Sequence, residues 1–518
     1  MQGDRASGAS APQRQPFATR PVLLLAAAKL AIHVLTNLIS PYGIHRDAFL
    51  YFAMGRHLKL FRMDFPPAIA ILAQVERLFG TSLVAARIVP ALAGTAILVL
   101  AALIARELGG GRRTQVFTAL TAITVPLFMR PSNLFQPVVL DQLWWTLGFY
   151  ALARIGRDDA PRWWIVLGVA GGLGLLTKFS ILFFGLAVLV GLAVSPLRRS
   201  LRTPWPWVAL AIALVLGSPS VIGQVRLNFP VVEQMADLRR VQLGRVTPWD
   251  FLGNQLLLGP ATVVALVGLG FLLRARDMWA FRQIGWTSAV VLLLLLALHG
   301  KAYYIGPIYP ALYAAAWVAL SRISTAGARR AIERLALGLA VAWGLIVLPM
   351  GLPLLPPKAM ARYAAALGVT SAVETNVGVV LRLPQDYADM LGWQDRVQAV
   401  AQAFHRLTPA EQRTAAVCGG NYGEAGALDY YREQYDLPPA VSPAGSFWFF
   451  GPGDRPGDPL VTIGVDSTDL RQYFDSVTAV AHLTNAWTVP EEQDLTVYVA
   501  RHAHGTLQEI WPSLAGRN

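Results

Sequence analysis

Residues 83–105 read LVAARIVPALAGTAILVLAALIA, and the eight that follow, RELGGGRR, hold three arginines and three glycines. Wound as a helix, the apolar run is roughly 34 Å long at 1.5 Å per residue, enough to cross ~30 Å of hydrocarbon. The basic, glycine-rich stop is what a span leaves at a membrane surface. The same pattern recurs outward in both directions. Apolar windows lie near 21–39, 114–129, 137–153, 163–177, 179–195, 205–223, 252–273, 283–299, 303–320 and 335–351. With the first, they predict about eleven transmembrane helices, a predominantly α, polytopic bundle over residues 21–351.

Composition agrees. Of 518 residues, 54% are hydrophobic and 14% charged, too apolar for an ordinary soluble fold. The single cysteine, Cys418, excludes an internal disulfide and a cysteine metal site. Residues 1–20, MQGDRASGASAPQRQPFATR, read as a disordered basic cytoplasmic tail before an uncleaved first helix. Short inner loops collect arginine, and the clusters at 106–113, 154–162, 198–202, 274–282 and 322–334 alternate correctly with the N-terminus inside. An odd number of spans then places residues 352–518 outside. That tail has 11 Lys and Arg against 18 Asp and Glu, whereas residues 1–351 have 33 against 13. The overall charge of +13 therefore reports topology and contact with membrane lipids, not nucleic acid. Strand-like runs LVTIGV (460–465) and LTVYVARH (495–502), with the helical WQDRVQAVAQAFHRL, mark the tail as a small extracytoplasmic α/β domain.

Two outer connections, 40–82 and 224–251, are long, and long ordered loops tend to carry function. The first contains RDAFLYFAMGRHLKL, whose pattern suits an interfacial helix carrying Arg56 at the level of a carrier phosphate. Acidic residues on the outer side are few: Asp47 and Asp64 in that connection, Asp141 at the outer start of the fourth span, and Glu76, Glu233, Asp237 and Asp250. A carboxylate at membrane depth costs roughly 2.5–3.5 kcal/mol unless it has a partner or a wet cavity, so Asp141 is a functional candidate. Each acid also has a plainer role: Asp141 as a helix cap after Pro137, Asp47 as the start of the interfacial helix, and Asp64 as turn chemistry before Phe65-Pro66-Pro67. Lys178 and Lys301 stand where a cation holds an anionic headgroup, or where a lysine only lifts its ammonium to water. Tyr303, Tyr304 and Tyr309 suit an interfacial aromatic belt. GGLGLLTKFS is not a phosphate loop, because Thr177 stands where glycine is required before the lysine. CGGNYGEAG (418–426) has the glycines of a tight turn without a cofactor pattern, and His57 and His299 are scattered histidines that would need to join Asp64 to hold a metal.

RDAFLYFAMGRHL, MDFPP, LDQLWWTL, LLTKFS, KAYYIGPIYPAL, LPQDYADMLGW and NYGEAGALDYY, in that order over residues 41 to about 500, resemble the GT-C superfamily of lipid-phosphosugar-dependent glycosyltransferases. That group includes protein O-mannosyltransferases and lipid A aminoarabinose transferases, and the pattern is nearest to bacterial glycosyltransferase family 39. The resemblance implies transfer of a monosaccharide from a polyprenyl-phosphate carrier to a lipid, glycan or protein acceptor, with inversion. It implies that Asp47 is the catalytic base, that Asp141, which lines the same cavity, is a second catalytic residue, and that Asp64 neighbours a metal or the carrier phosphate. Lys178, Lys301, Tyr303 and Tyr304 would face the donor headgroup. Ala48 follows Asp47 where many relatives have glutamate, and Phe65 stands where aminoarabinose transferases have lysine. These departures leave the divalent metal and the donor sugar open. Rival readings are a lipid or sugar transporter or flippase, although no internal repeat accompanies the one-sided acids, a polysaccharide ligase using a diphosphate carrier, and an inactive scaffold for the tail domain.

Overall fold

The computed structural model describes residues 12–80, 82–158, 160–368, 373–375 and 377–514. Helix α1 (Thr19–Ile39) leads into α2 (Arg46–Arg56) and α3 (Ala68–Glu76) of the first long connection. The bundle continues through α4 (Ile88–Glu107), α5 (Arg112–Thr124), the one-turn α6 (Pro126–Met129), α7 (Pro137–Asp158), α8 (Pro161–Thr177), α9 (Ile181–Ala193) and α10 (Trp205–Arg226). The second long connection holds α11 (Pro230–Val241) and α12 (Pro248–Leu256), and α13 (Pro260–Arg274), α14 (Arg282–Ala297), α15 (Tyr309–Ser321) and α16 (Ala326–Gly351) close the bundle.

Every one of the expected apolar windows holds a helix, but the expected count of about eleven membrane spans is not what length and apolarity support. Five described helices are long and apolar enough to cross a bilayer, or up to seven if two sharply bent pairs each count as one span. Several windows fall short locally. The window at 114–129 stops at Val125-Pro126, the helices in those at 163–177 and 303–320 have only 17 and 13 residues, and the window at 252–273 folds back by 109° between α12 and α13. At that bend Gly259 takes φ +62°, a left-handed conformation that glycine enters freely, and Pro260 starts the next helix.

Residues 12–18, read as part of a disordered tail, run against the bundle: Arg14 meets Glu107 at 2.9 Å and the Ala18 amide donates to Gln115 at 2.8 Å. Residues 1–11 lie outside the described residues. Glu107 is fully buried at the end of α4 and also faces Arg106, Arg154 and Arg157, which ties the N-terminal segment and the end of α7 to one carboxylate of α4. Halfway along α1, the buried Lys29 ammonium donates to the Phe128 carbonyl at 2.9 Å and to Ser132 at 3.3 Å. It satisfies backbone left open where α6 ends, the condition for broken helices at membrane depth.

The tail domain contains α17 (Pro357–Leu367), α18 (Gln385–Ala388), α19 (Trp393–His405), α20 (Pro409–Thr414), β1 (Ala416–Gly419), α21 (Tyr422–Tyr431), β2 (Ala440–Val441), α22 (Ser446–Phe450), β3 (Leu460–Ile463), β4 (Phe474–Thr484) and β5 (Asp494–Ala503). Its sheet has strand order β2-β1-β3-β5-β4, parallel between the first three strands and antiparallel between the last three. The central strands AVCG and LVTI are buried throughout, as parallel strands covered on both faces must be. Helix α21 packs between this sheet and α2 of the first connection. Phe49 of α2 lies against the rings of Trp393, Tyr430 and Tyr431 at 5.5–5.9 Å. The tail domain is thus seated on the helix that carries Asp47.

Candidate active site

Asp47 is fixed by local chemistry first. His45 caps α2, its Nδ1 accepting the Asp47 amide at 3.1 Å, and Asp47 in the first turn suits the positive end of the helix dipole. Because Nδ1 accepts, the His45 proton sits on Nε2, which points to Asp386 at 3.7 Å and Asp389 at 3.9 Å. Asp386 is ion-paired with Arg130. Burial alone would raise its carboxyl, but Arg130 and His45 outweigh that and hold it well below the usual range. Asp389 goes the other way, pushed up to about 7 by burial against the pull of His45 and Arg46.

Both carboxylate oxygens of Asp47 are then held from distant parts of the chain. The Gln136 amide donates to Oδ2 at 2.9 Å, and the Tyr422 phenol donates to Oδ1 at 3.0 Å. Tyr422 is the first residue of α21, where the sequence NYGE closes a capping box. Asn421 Oδ1 accepts the amides of Gly423 (2.8 Å) and Glu424 (3.1 Å), and Glu424 accepts the Asn421 amide at 3.1 Å. Arg46 covers the Tyr422 ring at 4.7 Å and pairs with Glu491 at 2.9 Å.

A second group adjoins the first. Asp141 accepts from the Trp145 indole at 3.0 Å and from the Ser180 hydroxyl at 2.8 Å. With Lys178, Tyr303 and Tyr304 it lines a small cleft. The Lys178 ammonium lies 4.7 Å from the centre of the Tyr304 ring and 5.8 Å from that of Tyr303, and the two rings meet edge to face. Lys301 links the groups. Its Nζ donates to Gln242 of the second long connection at 2.5 Å. Burial and repulsion from Lys178 bring it down to about 8, against the opposing pull of Asp47 and Asp386. Lys301 thus feels both Lys178 and Asp47.

Two expected site residues sit elsewhere. Arg56, expected at a carrier phosphate, is at the far end of α2, where its guanidinium meets Asp429 and Glu433 of the tail domain, both at 3.3 Å. It fastens the tail to α2, because a guanidinium flanked by two carboxylates is already neutralised. Asp64, expected beside a metal or the carrier phosphate, is 2% exposed under the tail domain. Its Oδ2 accepts the Ser446 hydroxyl at 2.6 Å, its backbone carbonyl is bonded by Gln224 at 2.5 Å, and burial pushes its carboxyl up. A divalent ion does not fit this arrangement. Among the described residues no three His, Cys, Asp or Glu side chains converge. His57 is stacked on Phe450 at 4.5 Å and His299 is bonded to the Val246 carbonyl at 2.6 Å.

Sequence reasoning missed Gln136, Tyr422, His45, Asp386, Asp389 and Arg130. The only signal was indirect: LPQDYADM and NYGEAGALDYY stand out as acidic, aromatic stretches in the tail, but nothing local says which of their residues turn toward Asp47.

The fold has counterparts. A crystal structure of ArnT from Cupriavidus metallidurans bound to undecaprenyl phosphate superposes with TM-score 0.61 at 18% identity, covering 97% of this chain and 100% of that one. The apo state of the same protein gives TM-score 0.60 at 19% identity with the same coverage. The chain shares the fold of that protein. The apo oligosaccharyltransferase of Archaeoglobus fulgidus gives TM-score 0.49 at 13% identity over 80% of this chain and 63% of that one. Residues 64–222 also match the family model for dolichyl-phosphate-mannose-protein mannosyltransferases. That match takes in Asp64, Asp141 and Lys178 and begins after Asp47. No curated protein sequence matches the chain significantly. Its described helices that are long and apolar enough to cross a bilayer make this an integral membrane protein.

Proposed function

We propose that this protein is an inverting glycosyltransferase that moves a monosaccharide from a polyprenyl-phosphate carrier to a lipid, glycan or protein acceptor on the outer face of the cell membrane. The N-terminus is then cytoplasmic and the tail domain periplasmic. The observation that carries the reading is a carboxylate, Asp47, anchored on both oxygens, in a bundle that also holds a cleft lined by Asp141, Lys178, Tyr303 and Tyr304. The superposition on a fold captured with undecaprenyl phosphate supports the class of donor.

The acceptor hydroxyl or amine gives its proton to Asp47 as its lone pair attacks the anomeric carbon. The bond from that carbon to the phosphate oxygen breaks, and its electron pair leaves with the polyprenyl phosphate. Attack from the face opposite the leaving group inverts the configuration. A phosphate monoester leaves without protonation, so catalysis needs charge stabilisation, which Lys178 and Lys301 supply, and a base of fixed orientation. Asp141, held by Trp145 and Ser180, orients the sugar in the cleft and balances the Lys178 charge.

The test is transfer of radiolabelled sugar from a panel of polyprenyl-phosphate monosaccharides, comparing wild-type membranes with Asp47→Asn. Label reaching acceptor only in the wild type, with release of polyprenyl monophosphate, is the expected result. Full activity of Asp47→Asn, or release of diphosphate, would refute the assignment.

A further inference from the structure

We propose that Tyr422 of the tail domain is a positioning residue for the Asp47 carboxylate, so that the transferase site is complete only when the tail domain is seated on α2. The inference rests on the reading of Asp47 as the base.

A carboxylate that takes a proton in the transition state works best when it does not have to reorient. Each ionised carboxylate oxygen offers two lone-pair sites. The Tyr422 phenol occupies one on Oδ1 at 3.0 Å and the Gln136 amide occupies one on Oδ2 at 2.9 Å. Rotation of the carboxylate is blocked from both sides, while a lone pair remains on each oxygen for the acceptor's proton. The two clamps come from different bodies: Gln136 precedes α7 of the bundle, and Tyr422 opens α21 of the tail.

The phenol is itself held in place. The Asn421–Glu424 capping box fixes the backbone at Tyr422, and the Arg46 guanidinium, tethered to Glu491 at 2.9 Å, lies over its ring. Docking of the tail does not depend on the hydroxyl. Arg56 with Asp429 and Glu433, Ser446 with Asp64, and Phe49 with Trp393, Tyr430 and Tyr431 already secure the contact. The one hydroxyl that reaches a catalytic oxygen is thus surplus to the interface, which separates a positioning role from a packing role.

The experiment uses the full-length protein in liposomes with the polyprenyl-phosphate sugar accepted by the wild type, and compares Tyr422→Phe with Asp47→Asn. Phenylalanine keeps the ring under Arg46 and removes only the hydroxyl. The expected result is a fall in kcat of roughly tenfold to a hundredfold, the weight of one hydrogen bond to a charged group, with donor KM unchanged within about twofold. Wild-type kcat in Tyr422→Phe beside an inactive Asp47→Asn overturns the role of Tyr422 and leaves the base in place. A rise in donor KM with kcat unchanged also overturns it. Full activity of Asp47→Asn overturns both readings. If Tyr422→Phe does not accumulate in the membrane, 3-fluorotyrosine at position 422 keeps the shape and makes the phenol a stronger donor; kcat then shifts, and an unchanged kcat overturns the proposal.

Discussion

Gly426→Ala is the most direct way to test whether the seating of the tail domain sets the chemistry. Gly426 lies one turn beyond Tyr422 in α21, against the backbone of α2. A Cβ added there would lie 2.8 Å from the Phe49 carbonyl carbon and Cβ and 3.0 Å from its carbonyl oxygen. Ordinary carbon contacts are about 3.5–4.0 Å, so the two helices must part by roughly 0.7–1 Å. Tyr422 shares the face of Gly426, four residues away, and moves with it. Its 3.0 Å bond to Asp47 then stretches to roughly 3.7–4 Å, beyond hydrogen-bond reach. We expect kcat to fall about tenfold or more, with an overpacking cost on the order of 1–3 kcal/mol in stability. Donor KM should stay unchanged, because Lys178 and Lys301 belong to the bundle. The assay is steady-state transfer at varied donor concentration, with thermal unfolding alongside. Gly338→Ala is the control, since a Cβ there meets nothing within 4 Å. Wild-type kcat in folded Gly426→Ala protein, or a loss confined to donor KM, would refute the reasoning.

The tail domain should also lose stability as pH rises. Burial, then the neighbouring Glu492, push Glu424 up to about 8, while an unfolded glutamate titrates near ~4.3. Between those values the unfolded chain ionises and the folded one keeps its proton, so stability present in acid is lost as pH climbs through this window. Glu424→Gln should flatten the fall in Tm of the purified protein between pH 5 and pH 8; an unaltered pH slope would count against the buried, protonated Glu424. Arg56→Ala should cost on the order of 2 kcal/mol, less than the loss of a sole partner, because Asp429 keeps Arg432 at 3.3 Å. Its donor KM should match the wild type, and a tenfold rise would return Arg56 to the carrier site.

Much of the fold was legible because its signals are local. Each apolar window contains a helix, LVTIGV contains strand β3, and LTVYVARH lies within strand β5. The number of long spans was not legible, because a hydropathy average does not register where Pro126 or the Gly259–Pro260 step breaks a helix. Strands β1 and β4 escaped notice too: AVCG is short enough to suit any buried segment, and β4 is an edge strand whose alternation is blurred by partial exposure.

The candidate site divides along the same line. Asp47, Asp141, Lys178 and Lys301 could be picked out from sequence alone, because an ionisable residue in an apolar chain is costly and therefore conspicuous. What each one faces could not. Arg56 looked like a phosphate ligand until Asp429 and Glu433 were seen beside it, and Asp64 looked like a metal neighbour until Ser446 and burial accounted for it. Gln136 reaches Asp47 across 89 residues and Tyr422 across 375. Sequence marked several side chains as expensive enough to need a purpose, although Lys29, buried in α1, escaped it. The tertiary structure alone decided their partners, because a hydrogen bond to a carboxylate is selected by distance in space, and chain separation leaves no periodicity from which that distance can be read.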